Sequence, residues 1–556
     1  MEVQQASRAV HTGWRAAVVI ALVLAGTYLF MGTQSTLWDR DEPRFARAAV
    51  EMVESGNYLV PTFNGRMWAD KPILFYWLMA GTIRFLGPTE LACRFWGAVG
   101  SGLTCLLVFV MAKRLSGVRA GLWAMLILGS TLMMLVVGTV ATIDAVLLPL
   151  IVGVLAVFMF LPESGVRAYQ IIMMGAALGL GMLAKGPIGV LPIPVIAATL
   201  WLGRKVTPGT GRYVWQTGAA LIVGVLIFLA WAIPANNATG GEFLRVFVGR
   251  HVLTRAIKPM EHHGGNFLLY LPYYLVVIVV GFFPWTLHLP GAFSAVAGGR
   301  VGGQYGRALL LGWIVPILVI MTLAVTKLPH YILFVWPALA LAVAGTIVAA
   351  EQGRLTQRDR IWLRRGVWFF GPLAAVLGVG LIVGPWFVTI TDLRWSGAAV
   401  GIVLTVMAII AVRAQRANRP EASARVLLGG MVVFGIIVLF GIVPALERVK
   451  ISPAIAKAVN DRTDRQTPVA GYKYGEPTLN FYVGRPIETL GSEDAVAAWA
   501  KEQRPGVLII PRSKLDEIER RCGSLALERI GSKKGFNYSK GQPLEVVALV
   551  RRGKVL

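Results

Sequence analysis

Residues 38–49 read WDRDEPRFARAA and begin a few residues after an almost wholly apolar stretch, residues 14–32. No small-residue cleavage site follows that stretch, so a membrane span that stays in the protein is expected there rather than a signal peptide. Four consecutive charges, Asp39 to Glu42, therefore stand at a membrane boundary. They are either a solvated loop or the lining of a site for a charged substrate, and the orientation of the chain decides between these interpretations.

The composition of the chain is that of a membrane protein. Of its 556 residues 56% are hydrophobic and the mean hydropathy is +0.64, and apolar runs long enough to cross a hydrocarbon core of roughly 30 Å recur along it. The formal net charge of +25 does not indicate a nucleic-acid partner, because basic residues are typical of loops between membrane spans. Cys93, Cys105 and Cys522 have the spacing of neither a disulfide framework nor a zinc site.

The apolar runs predict about thirteen transmembrane helices. The predicted spans are residues 14–32, 92–112, 120–138, 144–161, 169–184, 187–202, 215–233, 268–289, 308–325, 330–350, 367–389, 397–412 and 426–444. Only a Lys-Gly-Pro sequence separates 169–184 from 187–202. A break is expected there, because proline removes a backbone donor and disfavours helix in the residue before it.

Basic residues concentrate on one side of this arrangement, with few acids among them. They are Arg8, Arg15, Lys113, Arg114, Arg119, Arg167, Arg204, Lys205, Arg212, Arg300, Arg307, Arg354, Arg358, Arg360, Arg364, Arg365, Arg413, Arg416, Arg419 and Arg425. The positive-inside rule makes that side the cytoplasm, with the N-terminus inside and the C-terminus in the periplasm. The charges that open the first loop then lie on the outer face, within a structured segment, which weakens the interpretation as a plain loop.

Two domains are predicted. Residues 1–445 form a transmembrane catalytic domain, and its outer loops are 33–91 and 234–268. The first of these loops contains two short helices for the membrane interface, RFARAAVEMVES and KPILFYWLMAGTIRFLG. Residues 446–556 alternate strand-like segments (PVAGYKY, GVLIIP, LALERI, LEVVALV) with helices whose N-caps are Ser492 and Ser513. They predict a small soluble periplasmic α/β domain.

Carboxylates of the outer face are the first candidates for catalysis. Asp41 and Glu42 are unfavourable near lipid, which favours a function over an ion network with neighbouring arginines. Adjacent side chains point in different directions, so one carboxylate can be catalytic and the other structural. Asp144, at the outer end of a span, is either a charge at a helix N-terminus or a further member of the same site.

Outer-face cations indicate an anionic ligand. Lys71 lies between Asp70 and a proline, which suits a fixed cation for a phosphate, whereas an isolated interfacial lysine extends to the headgroups. Lys185 has the alternative role of an anchor at a tight turn. The segment TKLPHYILFVWPALA adds three further candidates, of which tyrosine is also typical of the aromatic belt. These are Lys327, His330 and Tyr331.

The 234–268 loop is rich in basic residues, including Arg255, and also predicts an anionic partner. The pair His262-His263 is too short to specify a metal. His251 together with Asp70 is a better candidate for a divalent metal. Cations for a phosphate, carboxylates for a sugar and apolar walls for lipid together suggest one site. A transporter would place its polar groups near the midplane on broken helices of repeated halves, and no such symmetry is visible.

Residues 38–77, WDRDEPRFARAAVEMVESGNYLVPTFNGRMWADKPILFYW, resemble the first outer loop of C-class glycosyltransferases that use polyprenyl-phosphate sugars. They are most similar to the bacterial undecaprenyl phosphate-aminoarabinose: lipid A aminoarabinosyltransferases, relatives of protein O-mannosyltransferases. The shared signature is an Asp-Glu pair after the first span, an acid-Lys-Pro segment further along the loop and a late K-x-P-x-Y segment. Asp70 stands where the family has glutamate, which puts a metal role there in doubt.

The resemblance implies the C-class fold and a reaction. 4-Amino-4-deoxy-L-arabinose would move from undecaprenyl phosphate to a lipid A phosphate, at the periplasmic face of a Gram-negative inner membrane. This would lower the negative charge of lipid A and confer polymyxin resistance. The protein is expected to act as a monomer among membrane lipids, and a divalent metal is its candidate cofactor.

The resemblance also implies roles for individual residues. Asp41 is the first catalytic candidate, followed by Asp144 and Glu42. The donor phosphate would be held by Lys71, Arg255, Tyr331 and Arg44. Apart from the resemblance, Lys185, Lys327 and His330 are candidates for binding the substrate.

Two alternatives remain at this point. A protein or glycan O-glycosyltransferase of the same fold would use a hydroxyl acceptor, and Asp41 would then be its natural base. A flippase for lipid-linked sugars would need no acceptor.

Overall fold

The computed structural model describes residues 2–161, 167–206, 210–249, 272–387, 390–538 and 540–551. The chain divides into two compact units. The helical unit comprises Met1–Gly32, Ala69–Phe75 and Arg94–Leu439, and the mixed unit comprises Thr33–Trp68, Tyr76–Cys93 and Phe440–Leu556. Most of the first long loop therefore belongs to the same unit as the C-terminal residues.

Apolar α-helices build the helical unit. Those lying wholly or mainly in it are Glu2–Thr33, Glu90–Ser116, Val118–Gly129, Leu132–Thr139, Ile143–Met159, Ala168–Lys185, Pro192–Leu202, Thr210–Ala238, Glu242–Val246, Tyr273–Gly281, Leu289–Ala297, Gly303–Leu323, Trp336–Glu351, Gln357–Arg365, Val367–Val383, Leu393–Arg416 and Pro420–Ile437. Short 3-10 helices connect several of them. These are Gly186–Val190, Trp285–His288, Pro329–Val335 and Gly384–Trp386.

Nine helices of the described residues are long and apolar enough to cross a membrane, or up to eleven if each of two bent pairs is one span. The pairs are Val118–Gly129 with Leu132–Thr139, bent by 68°, and Tyr273–Gly281 with Trp285–Ala297, bent by 112°. Each predicted span coincides with such a helix, with a bent pair, or with a shorter apolar helix. The prediction of a polytopic α-helical membrane protein is confirmed, while the number of thirteen crossings stays a prediction.

The predicted break between two neighbouring spans is present. The helix Ala168–Lys185 is followed by Gly186, whose φ is +58°. That positive φ disfavours residues with a Cβ, and the following proline removes a backbone donor. The chain continues as the 3-10 helix Gly186–Val190 and then as the helix Pro192–Leu202.

One span forms the centre of the helical unit. The apolar window of Pro329–Glu351 is 100% buried, against 17% for Pro420–Arg448 and 22% for Gly13–Thr33. The poorly buried helices leave apolar side chains exposed, as helices in contact with lipid do. The buried span begins with the 3-10 helix Pro329–Val335, which carries two of the predicted site residues.

The mixed unit contains a five-stranded sheet. Its helices are Asp41–Ser55, Leu74–Leu86, Val438–Ile442 (a π-helix), Val443–Arg448, Ser452–Arg462, Pro477–Val483, Glu493–Ala500 and Arg512–Cys522. A hairpin pairs β1 (Thr62–Phe63) with β2 (Arg66–Met67). The sheet strands are β3 (Val469–Gly471), β4 (Ile487–Thr489), β5 (Gly506–Pro511), β6 (Glu528–Asn537) and β7 (Gln542–Arg551).

The sheet has the order β4-β3-β5-β7-β6. Strands β4, β3 and β5 are parallel, and β7 and β6 are antiparallel to their neighbours. Alternate residues of β5 enter different cores, because side chains of a strand alternate between faces. Val507 and Ile509 pack in the core that includes Leu479, and Leu508 and Ile510 pack in the core that includes Trp499. The predicted small α/β fold of the C-terminal residues is confirmed.

The predicted helix starts in this region are half right. The Ser492 hydroxyl accepts a hydrogen bond from the N–H of Ala495 at 3.1 Å, as an N-cap does. Ser513 is not an N-cap, because β5 runs to Pro511 and the helix begins directly at Arg512.

Candidate active site

Asp41 and Glu42 begin the helix Asp41–Ser55 and have opposite surroundings. The Asp41 side chain is 69% exposed, and one of its oxygens lies 3.8 Å from Nη1 of Arg44. Glu42 is buried, and its Oε2 accepts the N–H of Trp38 at 2.7 Å. From the sequence, one of these two carboxylates was expected to be catalytic and the other structural. The accessible one is Asp41.

The Arg44 guanidinium has a second neighbour in the same unit. Its Cζ lies 5.7 Å from the centroid of the Trp68 ring, a distance typical of a cation–π contact. Arg44 therefore has both a carboxylate and an aromatic ring beside it. These contacts fix the side chain near the exposed Asp41.

A second group of charged residues lies in the helical unit. Asp144, at the start of the helix Ile143–Met159, accepts a hydrogen bond from Nζ of Lys185 at 2.6 Å. His330 Nε2 lies 3.8 Å from the other Asp144 oxygen. The Lys185 ammonium is also 5.1 Å from the centroid of the Tyr331 ring. Three separate elements of the fold thus bring four predicted site residues together.

Lys71 belongs to the same unit, and its positive charge also acts on Asp144. Its Nζ lies 3.0 Å from Oδ2 of Asp70 and 3.3 Å from the Asp70 carbonyl oxygen. The lysine side chain is 15% exposed and the aspartate 20%. A partly covered cation held by its neighbour suits an anionic ligand better than a freely moving surface lysine does.

Lys327 supports a helix end. Its buried ammonium donates to the carbonyl oxygens of Met321 at 3.2 Å, Ala324 at 2.5 Å and Thr322, at the end of the helix Gly303–Leu323. The last carbonyls of a helix have no partner within the helix, so a lysine placed there satisfies them. These bonds account for the ammonium without a substrate.

Two predicted residues, Arg255 and His251, lie outside the described residues. The proposed metal pair of His251 and Asp70 therefore has only one described member. Among the described ranges no group of three or more His, Cys, Asp or Glu side chains could hold a metal ion.

Sequence reasoning missed several residues with a structural part in these groups. Tyr274 contributes a buried ring whose centroid lies 5.7 Å from the Lys327 ammonium. Glu51 is buried and accepts hydrogen bonds from the Thr62 hydroxyl at 2.7 Å and the Asn64 N–H at 2.7 Å, which ties the β1–β2 hairpin to the helix Asp41–Ser55. The sequence does not predict these bonds, because Glu51 is one of several charged residues in an amphipathic helix.

Comparison with known proteins shows what the chain is similar to. The model of the family described as dolichyl-phosphate-mannose-protein mannosyltransferase matches residues 70–233. An undecaprenyl phosphate-alpha-4-amino-4-deoxy-L-arabinose arabinosyl transferase of Edwardsiella ictaluri is 30% identical over 68% of this chain and 66% of its own length. A second such transferase, from Sodalis glossinidius, is 31% identical over 60% of this chain and 58% of its own length. The chain is a homologue of these arabinosyltransferases.

A solved structure shares the fold over nearly the whole chain. The crystal structure of ArnT from Cupriavidus metallidurans bound to undecaprenyl phosphate superimposes with a TM-score of 0.78 and 21% identity, covering 97% of this chain and 98% of that one. Its apo form gives a TM-score of 0.77. The resemblance stated from residues 38–77 and the expected C-class fold are both confirmed.

The two kinds of match cover different extents. The chain spans less than two thirds of the length of the two arabinosyltransferases from Edwardsiella and Sodalis in sequence. The match to the mannosyltransferase family is shorter still. It covers residues 70–233 of this chain, which include Asp70, Lys71, Asp144 and Lys185. The charged group of the helical unit thus draws most of its members from the region shared with polyprenyl-phosphate sugar enzymes.

Proposed function

We propose that this protein is a membrane glycosyltransferase that moves 4-amino-4-deoxy-L-arabinose from undecaprenyl phosphate to a phosphate group of lipid A. The observation that carries the proposal is the group formed by Lys71, Asp144, Lys185, His330 and Tyr331 in the helical unit. Cations beside apolar helices suit the phosphate of a lipid-linked sugar. The names of its homologues supply the sugar and the carrier.

The donor phosphate is assigned to Lys71 and Tyr331 of the helical unit, together with Arg255. A phosphodiester leaving group needs little protonation, so charge stabilisation by lysine and arginine is the main help the protein can give. In this scheme Asp144 holds Lys185 in place through their 2.6 Å contact. Lys185 then presents a fixed positive charge rather than a flexible one.

Asp41 is assigned the sugar. A lipid A phosphate is already ionised near neutral pH and needs no general base, so the Asp41 carboxylate would act by its charge. It would bind the ammonium of the amino sugar or stabilise positive charge at the anomeric carbon. The exposure of Asp41 supports this role, because a catalytic carboxylate must reach its substrate. The buried Glu42 is assigned a structural role.

The reaction is proposed to take place on the periplasmic face of the inner membrane. The one-sided distribution of basic loops supports this orientation. A hydroxyl acceptor is the second candidate, because the matching family model is described by protein mannosyl transfer.

Mass spectrometry of lipid A tests the proposal. Cells of a Gram-negative strain that lacks its own transferase but makes the donor lipid should gain lipid A bearing the amino sugar when they express this chain. Cells expressing Asp41→Asn at equal membrane abundance are the control and should not. Unmodified lipid A in the presence of well-inserted parent protein would contradict the proposed acceptor, and labelled sugar on protein would favour the hydroxyl alternative.

A further inference from the structure

Residues 36–39, directly before the Asp41–Ser55 helix, are held by the C-terminal residues of the same unit. Nζ of Lys450 donates to the carbonyl oxygen of Thr36 at 2.7 Å and to its hydroxyl at 3.0 Å. The Thr36 hydroxyl in turn donates to Glu447 at 2.8 Å. The same lysine ammonium lies 3.6 Å from the centroid of the Trp38 ring. One buried cation thus fixes both the backbone and a side chain of this segment.

One short helix supplies the next contacts. In Pro477–Val483, Thr478 and Tyr482 are four residues apart and therefore lie on the same helix face. Thr478 donates to the Asp39 carboxylate twice, through its N–H at 2.8 Å and its hydroxyl at 2.6 Å. The Tyr482 hydroxyl accepts the N–H of Leu37 at 2.7 Å. Side chain and backbone of the segment are bound by one element.

Tyr538, which follows β6, holds the segment from another direction. Its hydroxyl accepts the N–H of Asp39 at 3.1 Å and lies 3.5 Å from the Asp39 carboxylate. Its ring meets the Trp38 ring edge-on, with centroids 5.5 Å apart. Asp39 therefore has donors from two elements that are far apart in sequence.

The surroundings of Asp39 show what these donors do. Burial raises the pKa of Asp39 to about 6, and the hydrogen bonds from Thr478 oppose that rise. The nearby Glu476 carboxylate adds to it by repulsion. Asp39 is partly buried, so the loss of one donor leaves its carboxylate less well satisfied and weakens the hold on the segment.

The held segment leads directly to Asp41. The Trp38 N–H donates to Glu42, which closes the turn around Asp41 from the other side. The position of Asp41 is then set by contacts on both of its flanks. Among the described residues, the ion pair of the Asp41 side chain is the 3.8 Å contact with Arg44, which is too long to position it alone.

We propose that Thr478 is a positioning residue for the transfer reaction: through Asp39 it fixes the segment that carries Asp41. The inference rests on the proposed function, in which Asp41 acts on the sugar. It gives the C-terminal α/β residues a part in the rate of the reaction. Displacement of a reacting group by a remote substitution lowers rates by up to about 100-fold.

Hydrogen–deuterium exchange of the full chain in detergent tests the hold itself. Thr478→Val keeps the shape and the backbone N–H but removes the hydroxyl, so amides of residues 37–41 should exchange faster than in the parent. Thr478→Ser should exchange like the parent. Ser532→Ala, which removes a strand hydroxyl bonded to Glu545 at 2.7 Å, is the matched control and should leave these amides unchanged. Unchanged exchange in Thr478→Val would overturn the inference.

Steady-state transfer to purified lipid A tests the consequence. Thr478→Val should lower kcat about 10- to 100-fold with little change in KM for the donor lipid, and Thr478→Ser should restore most of the rate. A parent-like kcat in a variant with faster exchange would overturn the positioning role. If Thr478→Val does not fold, Tyr538→Phe removes the acceptor of the Asp39 N–H while keeping the ring, and should show the same two effects. Absence of transfer by the parent would count against the proposed function. The exchange experiment would still show whether Thr478 fixes residues 37–41.

Discussion

Asp41 and Glu42 are neighbours in the sequence and differ completely in accessibility. Glu42 is 3% exposed and bonded to a backbone N–H, whereas the Asp41 side chain is 69% exposed. Helical geometry separates adjacent side chains by about 100°, so one can face the protein and the other the solvent. Only the exposed carboxylate can meet a substrate in this arrangement.

Asp41→Asn should abolish transfer in correctly inserted protein. The amide keeps the shape and hydrogen-bonding capacity of the carboxylate and removes its charge. Because an ionised phosphate acceptor needs no base, the lost activity should not return at higher pH. The measurement is transfer of labelled sugar to purified lipid A across a pH series, at equal membrane abundance.

Two outcomes would contradict that role. A residual rate that climbs with pH would indicate that Asp41 is a base for a hydroxyl acceptor. Full activity of the variant would mean that the charge of the Asp41 carboxylate has no part in transfer.

Contacts between residues were harder to predict than their chemical types. Asp144, Lys185 and His330 each stood out as charged residues at span ends, but they are far apart in sequence, and their contacts depend on how the helices pack. The Thr478 contact with Asp39 gave no signal at all, since a threonine after a proline is common at a helix start.

At the scale of elements, lysines at the ends of spans differ in what they bind. Lys71 contacts a carboxylate, whereas Lys327 donates to three carbonyl oxygens of a helix end. A lysine of the first kind is proposed to hold the donor phosphate. One of the second kind stabilises the helix.

Lys327→Met and Lys71→Met should therefore have different effects. Loss of Lys327 leaves carbonyls of the helix Gly303–Leu323 without their donor, and should lower the stability of the protein by about 1–3 kcal/mol. Loss of Lys71 should leave stability near that of the parent and strip most transfer activity. Thermal unfolding and donor-lipid binding, measured in detergent on both variants, separate the two. Weakened donor binding with parent-like stability in Lys327→Met would instead assign that lysine to the substrate.

Elements were predicted well where hydropathy decides them. Long apolar runs coincide with the helices of the helical unit, because burial in lipid or protein requires a continuous apolar segment. In the C-terminal region Ser452–Arg462, Pro477–Val483 and β4 were missed. These elements are short, and tertiary packing rather than their own sequence pattern determines them.

At the scale of the whole molecule, the distribution of basic residues determines the orientation of the protein in the membrane. A reporter fused after Leu556 should behave as periplasmic, and one fused after Arg365 as cytoplasmic, because basic loops remain on the cytoplasmic side. Paired alkaline phosphatase and green fluorescent protein fusions measure this, with the fusion after Arg365 as the internal control. A cytoplasmic C-terminus would place the proposed reaction on the wrong face.

The span Trp336–Glu351, which is buried from Trp336 to Ala349, constrains how the protein is made. It packs against Val118–Gly129 and Leu289–Ala297, which precede it, and against Pro420–Ile437, which the ribosome makes much later. When this span leaves the translocon, Pro420–Ile437 has not yet been synthesised. The side of the span that will pack against that helix therefore contacts lipid first. Its apolar, alanine-rich surface tolerates that interval. In a chain truncated before residue 420 that side would stay in contact with lipid. The incompletely packed helices would then be a substrate for quality-control proteases.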